Sequence, residues 1–580
     1  MRHVTSRFAT VGALLLAAAT SVAVHAANAS EFTLEGKWKL VVLSYGEDEF
    51  LVLNIQAEDE QFSGEVADAQ RFLAGAKIES IEREGENVTL VIGGVGESVF
   101  RGRVANDGPW PGSVLGMFEF RGTSHPARLE PTEVEKVGPL NRDFIQQLQT
   151  LARTQEIEQR VAGLKELLAA TSGPYNHLIY SDLLKIADDA GLEADAVRGL
   201  VNDWLTSAAQ FGDAWKNEVR TKALQALSGS EPYADVSLDL AKQALDELGE
   251  DASAAQQAAV LAAVVTAARL AEATDLAETA AARLEKIEAK LDAEYSATVP
   301  PFQPEKFAGR DEPAHDRVVL LELFTGAECP PCVAADVAFD ALLKTYGPSE
   351  LVTLQYHLHI PGPDPLTNED TIARSEYYSL RGTPSPYFNG QDSAPGGGGM
   401  SGAEAKYGEY REVVNGQLDE AAAAKIELKV TRSGGKIIIQ ATAEPPAENN
   451  TDAAEEVGDD AADGDVDAAK KPDLRLRLAL SEESIRYVGG NGLRFHHSVV
   501  RALPGGAEGI ALKDGRAEVE LTVDTQQIRQ DIQQYLDDYP AGFPRPTPKI
   551  ALKDLSVVAF VQDDTDKTVL HAVRAEVPEN

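Results

Sequence analysis

The stretch that most constrains the fold of this 580-residue chain runs from Val318 to Tyr346, VVLLELFTGAECPPCVAADVAFDALLKTY. Val318 to Phe324 is a continuous apolar run of strand length, Thr325 to Glu328 reads as a short loop, and Cys329-Pro330-Pro331-Cys332 opens a helix that ends before Gly347. Cys329 and Cys332 are the only cysteines in the sequence. Two cysteines placed at random fall three apart about once in 300 arrangements, so the spacing carries information. The competing reading is a coincidental pair of small buried residues.

A strand feeding a helix gives the pair a mechanism. The first turn of a helix offers unpaired N–H groups and the positive end of the dipole to a sulfur anion. A thiol pKa lowered from about 8.5 makes the attacking thiolate available at neutral pH, as disulfide exchange requires. On this geometry Cys329 is the exposed nucleophile. Cys332, facing back toward the strand, is the resolving thiol. The expected inward stripe of the helix is Cys332, Ala335, Phe339, Leu342, Leu343 and Tyr346.

Beyond this helix, Leu351 to His359 reads as a strand and Thr367 to Leu380 as a helix capped by Thr367 or Asn368. Arg381-Gly382-Thr383-Pro384-Ser385-Pro386-Tyr387-Phe388-Asn389-Gly390 follows. Together with Leu321-Glu322-Leu323-Phe324 and the Cys-Pro-Pro-Cys, this segment resembles the thioredoxin superfamily over residues 304–420. The resemblance implies a cis bond at Thr383-Pro384 beside the cysteines, with the Thr383 backbone free to pair with a substrate strand. It also implies a buried carboxylate that accepts a proton from the resolving cysteine, a role that falls on Glu322. A salt-bridged or solvated strand carboxylate is the other reading of Glu322. The sequence departs from the family where Glu328 replaces the Trp before the first cysteine and Pro330-Pro331 replaces Gly-Pro.

Upstream, Arg2 and Arg7, an uncharged apolar run through Val11 to Val24 and small residues at Ala26, Ala27 and Ala29 read as a secretory signal peptide. This predicts an exported protein, periplasmic or extracellular, with no membrane span after signal removal. Phe32 to Pro131 alternates in short runs broken by Gly- and Asp-containing turns, which predicts a small antiparallel β domain, barrel-like. Its opening Gly36-x-Trp38 resembles the start of a lipocalin-type barrel, and Trp38 is read as a packing residue. From Leu140 to Tyr295 the period becomes helical, an array of hairpins read as a spacer or docking domain. Pro300, Pro301 and Pro304 mark a stiff linker.

Downstream, Gly396 to Gly399 reads as a flexible connector, and no Gly-Lys-Ser/Thr follows to make it a phosphate loop. A helix from Gly402 to Asp419 closes the segment. Runs at Lys425 to Val430, Lys436 to Thr442, Leu474 to Leu480, Ala517 to Val523, Leu555 to Gln562 and Thr568 to Val577 predict a β-sandwich with a short helix near Gln526 to Tyr535. This half of the chain resembles exported bacterial proteins in which a thioredoxin-like domain precedes such a sandwich. Glu444 to Asp467 carries ten acidic residues and no basic ones, a composition expected to be disordered. It lacks the acidic residue at the twelfth position that a calcium loop needs.

With 93 acidic against 53 basic side chains, the formal net charge of −40 argues against nucleic acid or an anionic membrane as partner. The expected organisation is a multidomain α+β protein: signal peptide 1–29, β domain 30–135, helical domain 138–297, linker 298–313, thioredoxin-like α/β domain 314–422, and β-sandwich 423–580 with an acidic insert at 444–472. Its expected function is thiol–disulfide exchange with protein substrates and a redox partner, through Cys329, Cys332, Thr383, Pro384 and Glu322, without a cofactor. Two rivals stand beside it. One is binding or delivery of zinc or copper by the Cys pair with His357 and His359, with His496 and His497 read as structural. The other is a non-catalytic envelope scaffold.

Overall fold

The computed structural model describes residues 32–579 except 44–45, 59–60, 95–97, 121–122, 141, 172–175, 250–251, 311–314, 446–471, 541 and 544. The expected signal peptide and nearly all of the acidic insert lie outside the described residues. The chain is mixed α+β and divides into two compact units that part between Ala289 and Lys290.

In the first unit, β1 (Gly36–Val42), β2 (Asp48–Glu58), β3 (Gln61–Ala69), β4 (Lys77–Glu84), β5 (Asn87–Gly93), β6 (Ser98–Val104), β7 (Val114–Phe120) and β8 (Thr123–Pro131) pair in chain order. They close through β1 and β8 into an antiparallel barrel. Period-two alternation decides which side chains fill it. Trp38, Leu40 and Val42 join Leu51, Leu53, Phe100 and Phe118 inside, and the Trp38 indole N–H donates to the Leu34 carbonyl at 2.8 Å.

Helices α1 (Asp143–Ala152), α2 (Ile157–Ala170), α3 (Asn176–Lys185), α4 (Ala194–Ala209), α5 (Asp213–Leu227), α6 (Ala234–Asp246), α7 (Ala254–Leu270) and α8 (Thr274–Thr298) follow. Trp204, Trp215, Leu224 and Leu261 from this array share one core with Val41, Leu43 and Leu115 on the outside of the barrel. The expected boundary at 135–138 is therefore not a boundary between separate cores. The helices cover an apolar patch of the outer barrel face around Val41, Leu43 and Leu115.

The second unit takes up the last turns of α8. The segment after α8, expected as a stiff linker, is strapped down. Phe302 and Phe307 pack against the core, the Phe307 N–H donates to the Thr345 carbonyl at 3.1 Å, and the Glu305 N–H donates to the Tyr407 hydroxyl at 3.1 Å.

Strand β9 (Val319–Thr325), helix α9 (Val333–Thr345), strand β10 (Leu351–His357), helix α10 (Glu369–Tyr378), strand β11 (Ser385–Phe388) and helix α11 (Ala403–Leu418) come next. Then come β12 (Lys425–Ser433), β13 (Lys436–Glu444), β14 (Leu474–Arg486), β15 (Phe495–Ala502), β16 (Ile510–Ala511), β17 (Ala517–Asp524), α12 (Thr525–Asp538), β18 (Leu555–Asp563) and β19 (Val569–Glu576).

The strands expected to form a separate sandwich do not stand apart. One sheet runs β11-β9-β10-β15-β14-β18-β19, with β16 on β14, and β10 joins β15 in parallel. A three-stranded sheet, β12-β13-β17, packs Ile437 and Ile439 against Leu476, Leu478, Val557 and Ala559 of the long sheet. The expected division at 422/423 thus crosses a continuous sheet.

Alternation along β9 sorts its two faces. Val319, Leu321 and Leu323 pack against α9 and α11, whereas Leu320 and Phe324 pack with Tyr378 of α10. Glu322 shares the parity of the second set.

Candidate functional site

The two cysteines form a disulfide, with their Cα atoms 5.4 Å apart, between the end of β9 and the start of α9. Pro330–Cys332 makes one tight 3-10 turn before α9 begins at Val333, so Cys329 stands at the head of that turn and Cys332 at the first position flanking the helix. Cys332 is buried. Leu343, placed in the expected stripe, points outward at 38% exposure.

Thr383 closes on Cys329 from the other side. Its hydroxyl lies 3.5 Å from Cys329 Sγ and its carbonyl oxygen 3.9 Å, and the Thr383–Pro384 bond is cis. The Thr383 hydroxyl also donates to the Ile360 carbonyl at 3.3 Å. These contacts overturn one expectation: Cys329 is not exposed but 1% accessible, because the Leu358–Ile360 turn lies against Gly326 while Thr383 covers the sulfur.

The Gly-rich run is part of this wall rather than a loose connector. The Gly398 N–H donates to the Pro331 carbonyl at 2.8 Å, the Gly398 carbonyl accepts from Ala334 N–H at 2.9 Å, and a Cβ on Gly396 would collide with Pro384.

The C-terminal part of the chain builds the remaining side. The Asn491 N–H donates to the Ala327 carbonyl at 3.0 Å and its amide to the Gly326 carbonyl at 3.3 Å. Gly489 permits this approach, since a Cβ there would strike the Ala327 carbonyl. Glu328 accepts from the Arg545 guanidinium at 2.7 and 2.8 Å. Short-range sequence patterns carry no trace of these contacts.

Glu322 is the second correction. It is fully buried on the α10 face of β9, opposite the face that α9 covers. Arg374 donates to both its oxygens at 2.8 Å, and the Tyr378 hydroxyl donates at 2.7 Å. Burial alone would raise its pKa, but the Arg374 charge and these hydrogen bonds outweigh it and hold Glu322 below the ordinary carboxylate range. The salt-bridged reading is the one realised. A carboxylate so paired is not available to take a proton from Cys332.

A different set of polar groups lies under the cysteine loop. Asp336, on the first turn of α9, accepts from the Thr325 hydroxyl at 2.9 Å and the Gln355 amide at 3.0 Å. The other end of Gln355 meets His357 Nε2 at 3.1 Å, and His357 Nδ1 meets Asp364 at 2.8 Å. Asp364 in turn accepts from the Ala327 N–H at 2.6 Å, inside the cysteine loop itself. Burial pushes the Asp336 carboxyl well above the ordinary aspartate range, and Asp340 and Asp364 act in the same direction. For Asp364, burial is outweighed by His357 and by the backbone donors of Ala327 and Leu366, which keep it low. The sequence signal for Asp336 was its spacing of four from Cys332, within a run of buried alanines.

The histidines of the metal reading are engaged elsewhere. Both His357 ring nitrogens have partners, and His359 bonds Tyr535 at 2.8 Å and the Asp364 N–H at 2.9 Å. His496 is buried against His357, with ring centres 4.8 Å apart, and is pushed down to about 3 by burial. His497 pairs with Asp340 at 2.8 Å. No group of three metal-ligating side chains occurs among the described residues. No helix among them is long and apolar enough to cross a membrane.

No family model matches the chain, and no curated protein matches it. Among solved structures it is similar to HBP35 of Porphyromonas gingivalis at 16% identity and a TM-score of 0.30, over 45% of this chain and 76% of that one. A likeness this weak carries no argument here.

Proposed function

We propose that the chain is an exported thiol–disulfide oxidoreductase that exchanges disulfides with protein substrates through Cys329 and Cys332, on a thioredoxin-like arrangement whose sheet continues into a sandwich-like C-terminal half. The observation that carries this reading is the placement of the Cys329–Cys332 disulfide at the start of α9 with Thr383 against the Cys329 sulfur. In the reduced form the Cys329 thiolate, favoured by the helix N-terminus, attacks a substrate disulfide and releases one substrate thiolate. The Cys332 thiolate then attacks Cys329 Sγ and releases the second. The substrate disulfide is reduced to two thiols, and the Cys329–Cys332 bond reforms.

The test is a trap. Reduced Cys332→Ser protein mixed with an unfolded, disulfide-containing protein should accumulate a mixed disulfide on Cys329 that dithiothreitol releases, and Cys329→Ser should not. If neither variant captures substrate, the exchange reading fails.

A further inference from the structure

The turn that covers Cys329 is held from behind by one histidine. Leu358–Ile360 lies against Gly326 of the cysteine loop, and the Ile360 carbonyl accepts from the Thr383 hydroxyl, which also lies 3.5 Å from Cys329 Sγ. A hydroxyl carries one proton, so while Thr383 gives it to Ile360 it has none to give to the sulfur. His359, in the middle of this turn, is half-buried against α12 and the residues that follow it. Its Nε2 meets the Tyr535 hydroxyl at 2.8 Å, and its ring packs on Tyr535, Tyr539 and Phe543 with centres 5.9, 4.1 and 6.3 Å away. Its Nδ1 accepts from the Asp364 N–H at 2.9 Å.

These two partners fix the protonation state of the ring. A backbone N–H can only donate, so Nδ1 carries a lone pair, and the neutral imidazole has its proton on Nε2, where it donates to Tyr535. A second proton would go onto Nδ1 and set two N–H groups against each other across 2.9 Å. The Asp364 carboxylate cannot turn to receive it, being taken up by His357 and the Ala327 N–H. That carboxylate favours the imidazolium through space, but burial outweighs it and holds His359 below the ordinary histidine range. Tyr535 is pushed up to about 12, by burial first and then by Tyr539, Glu369 and Asp364, so it stays a neutral phenol.

We propose that His359 is a positioning residue of the exchange site: as the neutral imidazole it clamps Leu358–Ile360 over Cys329, and on protonation it releases the Asp364 N–H, so that the turn lifts off the sulfur. This inference rests on the exchange reading above and adds regulation by acid to it. The closed form binds the proton less tightly than the open one. Its clamp is therefore at full strength above the ordinary histidine value of about 6.5 and weakens as pH falls toward the lower, closed value. Opening also frees the Thr383 hydroxyl proton, which can then hydrogen-bond to a thiolate on Cys329.

The test is the rate at which tris(2-carboxyethyl)phosphine reduces the Cys329–Cys332 disulfide of the oxidised full-length protein. It is followed between about pH 4.5 and pH 8, a span that brackets the titration of a histidine. Each rate is divided by that of a short Cys-Pro-Pro-Cys peptide disulfide at the same pH. The wild-type quotient should be low and flat above about pH 7 and climb by up to about tenfold per pH unit below about pH 6.5. His359→Asn offers an acceptor to the Asp364 N–H but does not titrate, so its quotient should stay flat in acid. Tyr535→Phe keeps the ring stack and loses only the hydroxyl. It should raise the quotient several-fold at neutral pH, and it carries the test if His359→Asn does not fold. A wild-type quotient that does not change with pH, an equal acid rise in His359→Asn, or a wild-type quotient in Tyr535→Phe would overturn the proposal. The exchange reading would stand, because no protein substrate enters this measurement. Absence of any mixed disulfide in Cys332→Ser would instead sink the exchange reading, and this inference with it.

Discussion

Cys329 Sγ and the Thr383 hydroxyl lie 3.5 Å apart, and the same Thr383 hydroxyl donates to the Ile360 carbonyl at 3.3 Å. One side chain therefore joins the disulfide to the turn that covers it. Ile360 is 37% exposed at the tip of that turn.

Ile360→Gly should loosen the cover. We expect reduction of the Cys329–Cys332 disulfide by dithiothreitol to quicken several-fold. Stopped-flow reduction checks this, and an unaltered rate would show that the turn does not limit access.

The Glu322–Arg374 pair is a structural device, so its loss should register in stability. Arg374→Met leaves a buried carboxylate without its partner and should cost about 3 to 5 kcal/mol in urea unfolding. The folded value of Glu322 lies below its unfolded one. Its contribution is thus fully present above the unfolded pKa of about 4.3 and is lost as pH falls through the folded value. The gap between wild type and Arg374→Met should narrow in acid.

Asp336 has the opposite sign. Its folded value lies above the unfolded one, so its contribution is full below about pH 4 and fades as pH rises through the folded value. Asp336→Asn removes that dependence. Relative to wild type, the variant should gain stability as pH is raised, and urea titrations at acid and neutral pH test the direction. A constant difference would mean that Asp336 titrates as it does in the unfolded chain.

The part of the site legible in the sequence was local. The apolar run of β9, the Cys-Pro-Pro-Cys at a helix start and the Thr383-Pro384 segment were all readable from short windows. What was not readable came from tertiary packing. The period of two along β9 already separates Glu322 from Leu321 and Leu323, but which face α9 would cover depends on a crossover that no window of the sequence encodes. The burial of Cys329 depends on Leu358–Ile360 and Thr383, and the back wall of its loop depends on Asn491 and Arg545. Likewise, the C-terminal strands alternate as sandwich strands do, yet β15 takes the open edge of β10, where Gln355 stands opposite Val499. Alternation specifies a face, not a neighbour.

Arg545 pairs with Glu328 beside Cys329. Its side chain is 43% exposed, so Arg545→Ala should change stability by no more than about 1 kcal/mol. The charge left on Glu328 should disfavour the Cys329 thiolate. Alkylation of the reduced protein at neutral pH should therefore slow, and the double variant Glu328→Gln with Arg545→Ala should restore the rate.

Cys329 and Cys332 are proposed to cycle between dithiol and disulfide, and their reduction potential tests this most directly. Equilibrated against dithiol redox buffers, the pair should titrate reversibly as a two-electron couple between about −270 and −120 mV, the range of exchange-active Cys-x-x-Cys proteins. A bond that resists reduction below about −300 mV, as structural disulfides do, or a pair that does not re-oxidise reversibly, would contradict it.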